Sequence, residues 1–484
     1  MNDEIKVGLD FGTHQTKICV QRIPDEGRGE PNYEFFQFTD LKGKKQYFLP
    51  SVIQINDDDT LSYGYVDSAR MKTEPDEPVR HNIPLEEEFD VAEMTDKLYK
   101  KYATAENQPE DMYVLSNMLK IRLQKVKARN AQKNQEAERQ YDMELRDFKG
   151  SKNVFRYFKQ ATFIGGEWNR ATLISNRTLC VWYLAYVIFL LEEKYGTNFS
   201  INMGIPTDEE TYEVKKRLAV EILATSYYLV EDVYNNDFES FLNEKYQDLL
   251  AKTENKRYSI ELKDEYFINI FPEAYASLTA LTSRGKLPTG MSLTADIGGG
   301  TTDISFFTIE NGLPMIYKFW SIPRGLNYVA NRSGFDYSDG DFTERAHQDV
   351  IDKYNRKKHE LVYNLVRDLQ KKIQEETSIP VKNLRDALKD RILVYSGGGS
   401  TYDFLTKPID TFTDIHVIDG SIWSEENVKD KTVVSQLSVL LTTAYGLSVS
   451  VSDADVKLKS YSSLFSHLPK KYERTIEEIS KDQC

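Results

Sequence analysis

Residues 292–307 read SLTADIGGGTTDISFF: an apolar run that ends at Asp296, three glycines, two threonines and a second apolar run. This pattern predicts two strands joined by a tight turn whose glycines carry no Cβ atom. Backbone N–H groups in such a turn can approach a bulky anion closely, and Thr301 and Thr302 would add hydroxyl donors. Asp296 ends the first strand, where a carboxylate could hold Mg²⁺ or a water molecule beside phosphates.

A second copy of this pattern lies near the N-terminus, where residues 5–20 read IKVGLDFGTHQTKICV. An apolar run ends at Asp10, and Gly12 and Thr13 begin the turn. A single hairpin of this kind is equally well explained as an ordinary turn in a sheet. Two such hairpins in one chain favour two related lobes that hold one phosphate chain from both sides.

A third glycine cluster lies in residues 391–405, which read RILVYSGGGSTYDFL. The sequence predicts a buried strand, a glycine turn at residues 397–399 and the start of a helix. Glycines at this place would let a base or a ribose pack flat against the backbone.

In this order, the three segments resemble those of the superfamily that contains actin, DnaK-type heat-shock chaperones and sugar kinases. Within it, the chaperone nucleotide-binding domain is the most similar. Residues 10–13 (DFGT) resemble its first phosphate loop, residues 296–303 (DIGGGTTD) its second, and residues 397–401 (GGGST) its adenosine segment. Weaker matches are residues 202–206 (NMGIP, first connecting strand), 271–276 (FPEAYA, glutamate-bearing segment) and 443–446 (TAYG, second connecting helix).

The resemblance implies an α/β fold of two ribonuclease-H-like lobes around a nucleotide cleft, the two-lobed actin-like ATPase fold, with helical insertions. Residues 1–205 would form the first lobe, with a helical insertion at about residues 90–150. Residues 206–440 would form the second lobe, with a helical subdomain at about residues 340–390. Residues 441–484 would form a closing helix and a polar tail. That tail is too short and too charged to be the chaperone's β-sandwich substrate domain, which we expect to be absent.

The resemblance also implies an ATPase that needs Mg²⁺ and converts ATP to ADP and phosphate. Asp10 and Asp296 would hold the metal, its water shell or the attacking water. Glu273 would hold a metal-bound water or orient the attacking water. Lys159 would stabilise charge on the γ-phosphate. Lys72 is an alternative for that role, and Lys159 would then be an ordinary surface lysine. Glu273 is otherwise explained as an acid at a helix N-terminus, where the helix dipole stabilises it.

The other candidate residues divide between the phosphates and the nucleoside. The phosphate-binding candidates are Gly12, Thr13, Gly298, Gly299, Gly300, Thr301 and Thr302. The nucleoside-binding candidates are Gly398, Gly399, Ser400 and Tyr402. Tyr402 departs from the resemblance, because the chaperones usually place an arginine there that stacks on the base. An aromatic ring can stack as well.

The chain has 484 residues, a net charge of −14, 40% hydrophobic residues and 29% charged residues, which is typical of a globular protein with a large core. The acidity argues against nucleic acid and against anionic membranes as partners, because both favour a basic surface. The longest apolar run, residues 179–191, is too short to span a bilayer. No signal peptide and no disulfide or zinc spacing is recognisable, which favours a reducing, cytoplasmic location.

Residues 90–149 form a charged, helix-rich stretch that the chaperone domain lacks. Apolar residues are scarce from residue 125 to residue 146. One interpretation is a helical protrusion surrounded by solvent. The other is an arm that binds a partner protein or contacts a neighbour in a filament.

Three functions are compatible with these motifs. The first is a chaperone-like ATPase that changes conformation with its nucleotide and acts on a partner or client protein. The second is an actin-like ATPase that forms filaments, so the oligomeric state is open. The third is a small-molecule kinase of the same superfamily, although residues 20–67 contain no recognisable sugar-contact pattern. The glutamate-bearing and adenosine segments favour the first. P-loop, zincin and nucleophile-elbow motifs are absent from the sequence, which excludes those enzyme classes.

Overall fold

The structure is a computed structural model that describes residues 4–24, 30–72, 85–102, 109–147, 153–164, 174–206, 208, 210–254, 266–285, 287, 290–334, 346–378, 388, 391–409, 412–417, 431–449, 459 and 461–464. The protein is mixed α/β with several sheets. It divides into two compact units. The first comprises Met1–Thr73, Asn153–Glu167 and Ile174–Cys484, and the second comprises Glu74–Lys152 and Trp168–Leu173. Most of the predicted polar tail, including Cys484, lies outside the described residues.

The strands of the first unit form two large sheets and two small ones. Their bounds are β1 Glu4–Phe11, β2 Gln15–Ile23, β3 Asn32–Phe35, β4 Phe38–Thr39, β5 Lys45–Gln46, β6 Leu49–Pro50, β7 Val52–Ile55, β8 Leu61–Tyr63, β9 Val154–Arg156, β10 Ser200–Ile205, β11 Ile268–Pro272, β12 Ser292–Ile297, β13 Thr302–Glu310, β14 Leu313–Ile322, β15 Ile392–Ser396 and β16 Asp414–Val417. The small sheets are β4-β5 and β8-β7-β9.

The two large sheets have the same strand order and the same strand directions. The first runs β11-β10-β1-β2-β3, with β6 also paired to β2, and the second runs β16-β15-β12-β13-β14. In both, the three strands that are consecutive in sequence pair antiparallel. The two later strands of each sheet add in parallel. The chain therefore builds one β-topology twice.

The two glycine-containing hairpins also match residue by residue. In the first, Asp10 lies opposite Lys17 and the last strand pair is Phe11 with Thr16. In the second, residue 296 lies opposite residue 303, and residue 297 pairs with residue 302. Each turn thus spans four residues beyond the last pair. Asp10 and Asp296 consequently occupy the same position in their two hairpins.

The helices of the first unit cover these sheets. Their bounds are α3 Phe158–Phe163, α4 Asn176–Tyr195, α5 Tyr212–Tyr228, α6 Phe238–Leu242, α7 Tyr246–Glu254, α8 Glu273–Ser283, α9 Leu326–Ser333, α10 Gln348–Glu376, α11 Lys431–Ser448 and α12 Tyr461–Leu464. The longest apolar run, residues 179–191, lies within α4, most of whose side chains are buried. No helix in the described part of the chain has the length and apolar character needed to cross a bilayer.

Helix α11 packs closely on strand β1 and on helix α8. In each contact a glycine lets the two backbones meet with no side chain between them. A Cβ atom on Gly8 would lie 2.2 Å from the carbonyl oxygen of Ala444. A Cβ atom on Gly446 would lie 1.8 Å from the carbonyl oxygen of Ala276. The side-chain amide of Asn202, on β10, donates to the carbonyl of Leu447 at 2.7 Å. The backbone of α11 is thereby held against the first sheet and α8.

Several element boundaries differ from the prediction. The first sheet continues past residue 205, where the second lobe was predicted to begin, because β11 adds in parallel to β10. Helix α11 begins at Lys431 rather than at residue 441. The helix predicted after the third glycine cluster is a short 3₁₀ turn, Gly398–Thr401. In the predicted helical subdomain at about residues 340–390, α10 covers residues 348–376, and residues 340–345 lie outside the described residues.

The second unit contains a pair of helices, α1 (Val91–Tyr102) and α2 (Pro109–Asp147). Its buried side chains include Leu119 and Val126 on α2. Asn130 is also buried, and its amide exchanges two hydrogen bonds with the backbone of Glu86, at 2.8 and 2.9 Å. Residues 85–90 are thereby fixed along α2.

Lys358, on α10, is a buried cation. Its ammonium group donates to the carbonyl of Leu405 at 2.5 Å and to the hydroxyl of Tyr395 at 3.3 Å. Burial lowers the pKa of Lys358 to about 7, whereas a lysine in an unfolded chain titrates near 10.4. Between these two values the unfolded chain binds a proton that the folded chain does not, so the free energy of unfolding should rise with pH.

We expect the wild type to gain about 2 kcal/mol more stability than Lys358→Met between pH 7 and pH 9, as this difference in proton binding implies. Urea unfolding of both proteins at the two pH values measures the difference. Lys357→Met is the matched control, because Lys357 is exposed and pairs with Glu360 at 3.1 Å. Equal pH dependence of wild type and Lys358→Met would mean that Lys358 stays charged in the folded state.

Candidate functional site

A cavity of about 310 Å³ lies in the first unit where the turns of the two hairpins face each other. Both large sheets contribute to it, together with the N-terminal ends of α3 and α8 and one side of α11. Its lining residues are Asp10, Gly12, Thr13, His14, Gln15, Lys17, Lys159, Glu273, Asp296, Gly298, Gly299, Gly300, Thr301, Leu326, Gly397, Gly398, Thr401, Tyr402, Val439, Leu440 and Thr443. The structure therefore brings all three glycine segments to one place.

Three predicted carboxylates line this cavity. Asp10 lies at the end of β1, and Asp296 holds the matching position in β12. Glu273 is the first residue of α8, directly after the N-cap Pro272, as the sequence predicted. The Ser277 hydroxyl, one turn further along α8, donates to Asp296 at 3.0 Å.

Two lysines compensate part of this negative charge. The ammonium group of Lys17 lies 2.5 Å from Asp10 Oδ2. That of Lys159 forms an ion pair with Glu273, and the Lys159 side chain is only 3% exposed. Lys159 is therefore not a surface lysine. The alternative candidate, Lys72, pairs with Asp59 at 2.7 Å and does not line the cavity.

Burial raises the pKa values of two acidic groups in the cavity. Burial raises the pKa of Glu273, and its pairing with Lys159 reverses this only in part. Burial, and to a smaller extent the charge of Asp10, raises the pKa of Asp296 although Ser277 donates to it. A cation that entered the cavity would stabilise the ionised form of both groups.

Asp303 is a further buried acid beside this site; it does not line the cavity and was not among the predicted residues. It lies directly opposite Asp296 in the second hairpin. Burial and then the charge of Glu273 raise the pKa of Asp303 well above its usual range. Its Oδ1 atom is buried and accepts no hydrogen bond from any described residue. The signal in the sequence was the hairpin register, which places Asp303 seven residues after Asp296 as Lys17 follows Asp10.

The two hairpin turns touch each other at the edge of the cavity. His14 Nε2 lies 2.5 Å from the side-chain oxygen of Asn327, at the start of α9. A Cβ atom on Gly299 would lie 2.0 Å from the His14 ring, so only glycine permits this approach. The amide of Gln160, on α3, donates to the carbonyl of Gly300 at 3.3 Å. These contacts join residues far apart in sequence, which is why the sequence analysis missed them.

The remaining part of the cavity has an apolar side. Leu326, Val439 and Leu440 line it next to Gly398 and Tyr402. The Tyr402 ring also lies 5.7 Å from the ring of Phe404. Residues on α11 were not among the predicted site residues. An apolar lining of this kind favours a flat, weakly polar ligand group over a charged one.

Three predicted binding residues do not line the cavity. The hydroxyl of Thr302 donates to the carbonyl of Arg324 at 2.8 Å and contacts the hydroxyl of Tyr354. Gly399 and Ser400 are buried within the 3₁₀ turn, where the Ser400 hydroxyl donates to the Gly397 carbonyl at 2.7 Å. All three support the shape of the turns that carry the lining residues.

The donors at this site fit Mg²⁺ that arrives together with phosphates. Among the described residues, no three His, Cys, Asp or Glu side chains are arranged to enclose a metal ion by themselves. Mg²⁺ is commonly held by one or two carboxylates, and water and substrate phosphates complete its octahedral shell. Asp10 and Asp296 can supply those carboxylates, and the glycine turns beside them can accommodate the phosphates.

Comparison with known proteins adds no family assignment to this geometry. No protein-family model matches the chain, and a search of curated proteins likewise finds no match.

Proposed function

We propose that this protein is a Mg²⁺-dependent ATPase of the actin and heat-shock chaperone superfamily, in which the nucleotide drives a conformational change that acts on a partner protein. One observation carries the proposal: two hairpins of identical register place Asp10 and Asp296 in one cavity with glycine turns and two lysines. The duplicated strand order supports two ribonuclease-H-like lobes with the nucleotide between them.

The charges of the cavity account for the expected metal dependence. The carboxylates of Asp10, Glu273 and Asp296 would repel a triphosphate across a few ångströms unless a cation lay between them. A bound Mg²⁺ would supply that charge and neutralise phosphate oxygens. Asp10 and Asp296 would hold the ion or its water shell. Lys17 and Lys159 would supply the two positive side chains that the phosphates require.

In the proposed reaction, a water molecule attacks the γ-phosphorus in line with the bond to the departing ADP oxygen. Glu273 would orient this water, and Lys159, fixed by its ion pair with Glu273, would stabilise the charge on the phosphoryl group in transfer. Backbone N–H groups of Thr13 and of residues 299–301 would bind the phosphate oxygens. Those of Gly12 and Gly298 donate within the turns, to the carbonyls of Asp10 and Thr301. The adenosine would lie against Gly398, Tyr402 and the apolar side chains of α11.

The contacts between the two turns support a switch. His14 with Asn327, and Gln160 with Gly300, join the elements that carry the two halves of the phosphate site. A triphosphate and a diphosphate fill the space between these turns differently, so each would favour a different spacing. In this proposal, a partner or client protein responds to that difference.

The test is phosphate release from ATP, together with ATP binding by calorimetry. We expect both to need Mg²⁺ and to be lost in EDTA. Asp10→Asn should lower turnover by about 10- to 100-fold, as the loss of a group that orients a metal's ligands usually does. Asp59→Asn is the control, because Asp59 lies outside the cavity lining and pairs with Lys72. A folded wild type that neither binds nor hydrolyses ATP would refute the proposal.

A further inference from the structure

Helix α2 of the second unit carries an exposed apolar stripe on the side opposite its packed face. Leu119 and Val126 are buried on the packed face. On the outer face, Val114, Met118 and Ile121 follow one another at helical spacing and are 56%, 64% and 54% exposed. Six of the eleven large apolar side chains that are strongly exposed in the described residues belong to this unit. Four of these six lie on α2, and such a concentration on one element marks an interaction surface.

The same part of α2 is strongly basic in an acidic protein. Residues 112–135 contain six lysines and arginines and no acidic residue. Because the whole chain carries −14, the other 460 residues carry −20 between them. Positive charge therefore flanks the C-terminal side of the stripe, which fits an acidic surface with some apolar character.

The structure shows how this helix binds an acidic segment. Residues 85–90, LEEEFD, run along the C-terminal half of the basic stretch. Glu86 pairs with Arg129 at 3.3 Å and with Lys133 at 3.9 Å, and Glu88 pairs with Lys127 at 3.7 Å. The Arg122 guanidinium lies 5.9 Å from the centre of the Phe89 ring. Acidic groups beside an aromatic ring thus match this helix, and the apolar stripe lies further toward its N-terminus.

The first unit presents an acidic surface of this kind. Residues 231–248 contain six acidic residues and one lysine, a net charge of −5. Phe238, Leu242 and Tyr246 are partly exposed among them. Beside this segment, burial and then the negative charge of Glu231 raise the pKa of Glu192 to about 7. Negative charge is therefore in excess at this surface.

We propose that the apolar stripe of α2 docks on residues 231–248 of a second copy of this chain. Glu86 and Glu88 already pair with three of the six cations, which leaves Lys120, Arg122 and Lys125 beside the stripe. An α2–α2 contact is disfavoured because it would bring these like charges together. A head-to-tail contact brings them to a segment of net charge −5 instead, and leaves one free surface of each kind at the two ends. Such a heterologous contact closes into a ring or continues as an open chain of molecules. The proposal does not depend on ATP hydrolysis.

The test is sedimentation velocity without nucleotide, over a wide range of protein concentration. At low salt, we expect the wild type to shift to larger species as its concentration rises. At about 1 M salt it should be monomeric, because the Debye length falls to about 3 Å. The double variant Met118→Glu/Ile121→Glu should remain monomeric at low salt. Ala131→Glu/Gln135→Glu, which changes the net charge equally at exposed positions outside the stripe, should assemble like the wild type.

The second part of the test reverses charges on the acidic surface, residues 231–248. Asp232→Lys/Glu239→Lys should also be monomeric, and circular dichroism should show all variants folded. A wild type that is monomeric at every concentration overturns the proposal, as does assembly that the stripe variant leaves intact. A monomer that binds vesicles of anionic lipid through the stripe would assign the surface to a membrane instead.

Discussion

Lys159→Met should lower ATP turnover by about 100- to 1000-fold, the usual effect of removing one group that stabilises charge in a transition state. Lys159 reaches the cavity from α3, and its ammonium group is held by Glu273. Methionine keeps most of the side-chain volume and removes the charge. The change should therefore act on the phosphoryl group in transfer more than on nucleotide binding, so that kcat falls further than KM rises.

The same substitution should lower the free energy of unfolding by about 3 kcal/mol, because it leaves a buried carboxylate without its counter-charge. Burial already raises the pKa of Glu273, and the ionised form becomes less favourable still without the lysine. A raised pKa in the folded state means that stability is lost as pH rises through it. Lys159→Met should therefore lose more unfolding free energy at pH 8 than at pH 5, and urea unfolding at both pH values measures the difference.

Two further variants separate these effects. Lys159→Met/Glu273→Gln should recover most of the lost stability and none of the activity, because the carboxylate that Lys159 neutralised is removed together with it. Lys72→Met should change the unfolding free energy by less than about 1 kcal/mol, as expected for a partly exposed ion pair. If Lys159→Met were as stable as the wild type at pH 8, the ion pair with Glu273 would not exist in solution.

Gly446→Ala should destabilise the protein by about 3 kcal/mol, at the upper end of what an added methyl group does in a packed interior. The new Cβ atom would lie 1.8 Å from the carbonyl oxygen of Ala276, which is backbone and cannot rotate away. Helices α11 and α8 would have to separate, and α11 would shift on β1. Urea unfolding, with the shift in its midpoint, measures the loss.

Whether Gly446→Ala lowers or raises the free energy of unfolding tests the contact between α11 and α8. Within a helix, alanine is ordinarily more favourable than glycine by about 1 kcal/mol, so a loosely packed α11 would become more stable on substitution. Gly43→Ala adds the same methyl group where no heavy atom lies within 4 Å, at a positive φ of 75°. There the loss should be only about 1 kcal/mol. An increase in stability for Gly446→Ala would show that α11 does not touch α8.

The local chemistry of the site was predictable because it follows from short segments. Asp10, Asp296 and the glycine turns are defined by apolar runs that end at an acid, and the structure brings them to one cavity. Glu273 follows a proline, which fixed the start of its helix. The register of the hairpins would have identified two further residues. Both hairpins have a charged residue seven positions after the aspartate, Lys17 in the first and Asp303 in the second.

The rest of the site depends on contacts between distant residues. His14 meets Asn327 only because two sheets of equal topology face each other across their turns. Val439 and Leu440 line the cavity because α11 packs on β1, and nothing in their own segment indicates a ligand. Similarly, the membership of β11 in the first sheet follows from pairing with β10, which its apolar pattern alone does not specify.

Helix α11 has a consequence for the order in which the nascent chain can become native. Strand β1 is made before the helix that lies on its Gly8, which follows some 420 residues later. At about 5–20 residues per second, the delay is roughly 20–90 s. Throughout that interval, the face of β1 that α11 covers is without its final neighbour. Two segments some 420 residues apart thus complete a single layer, and no fragment that stops before residue 431 contains it.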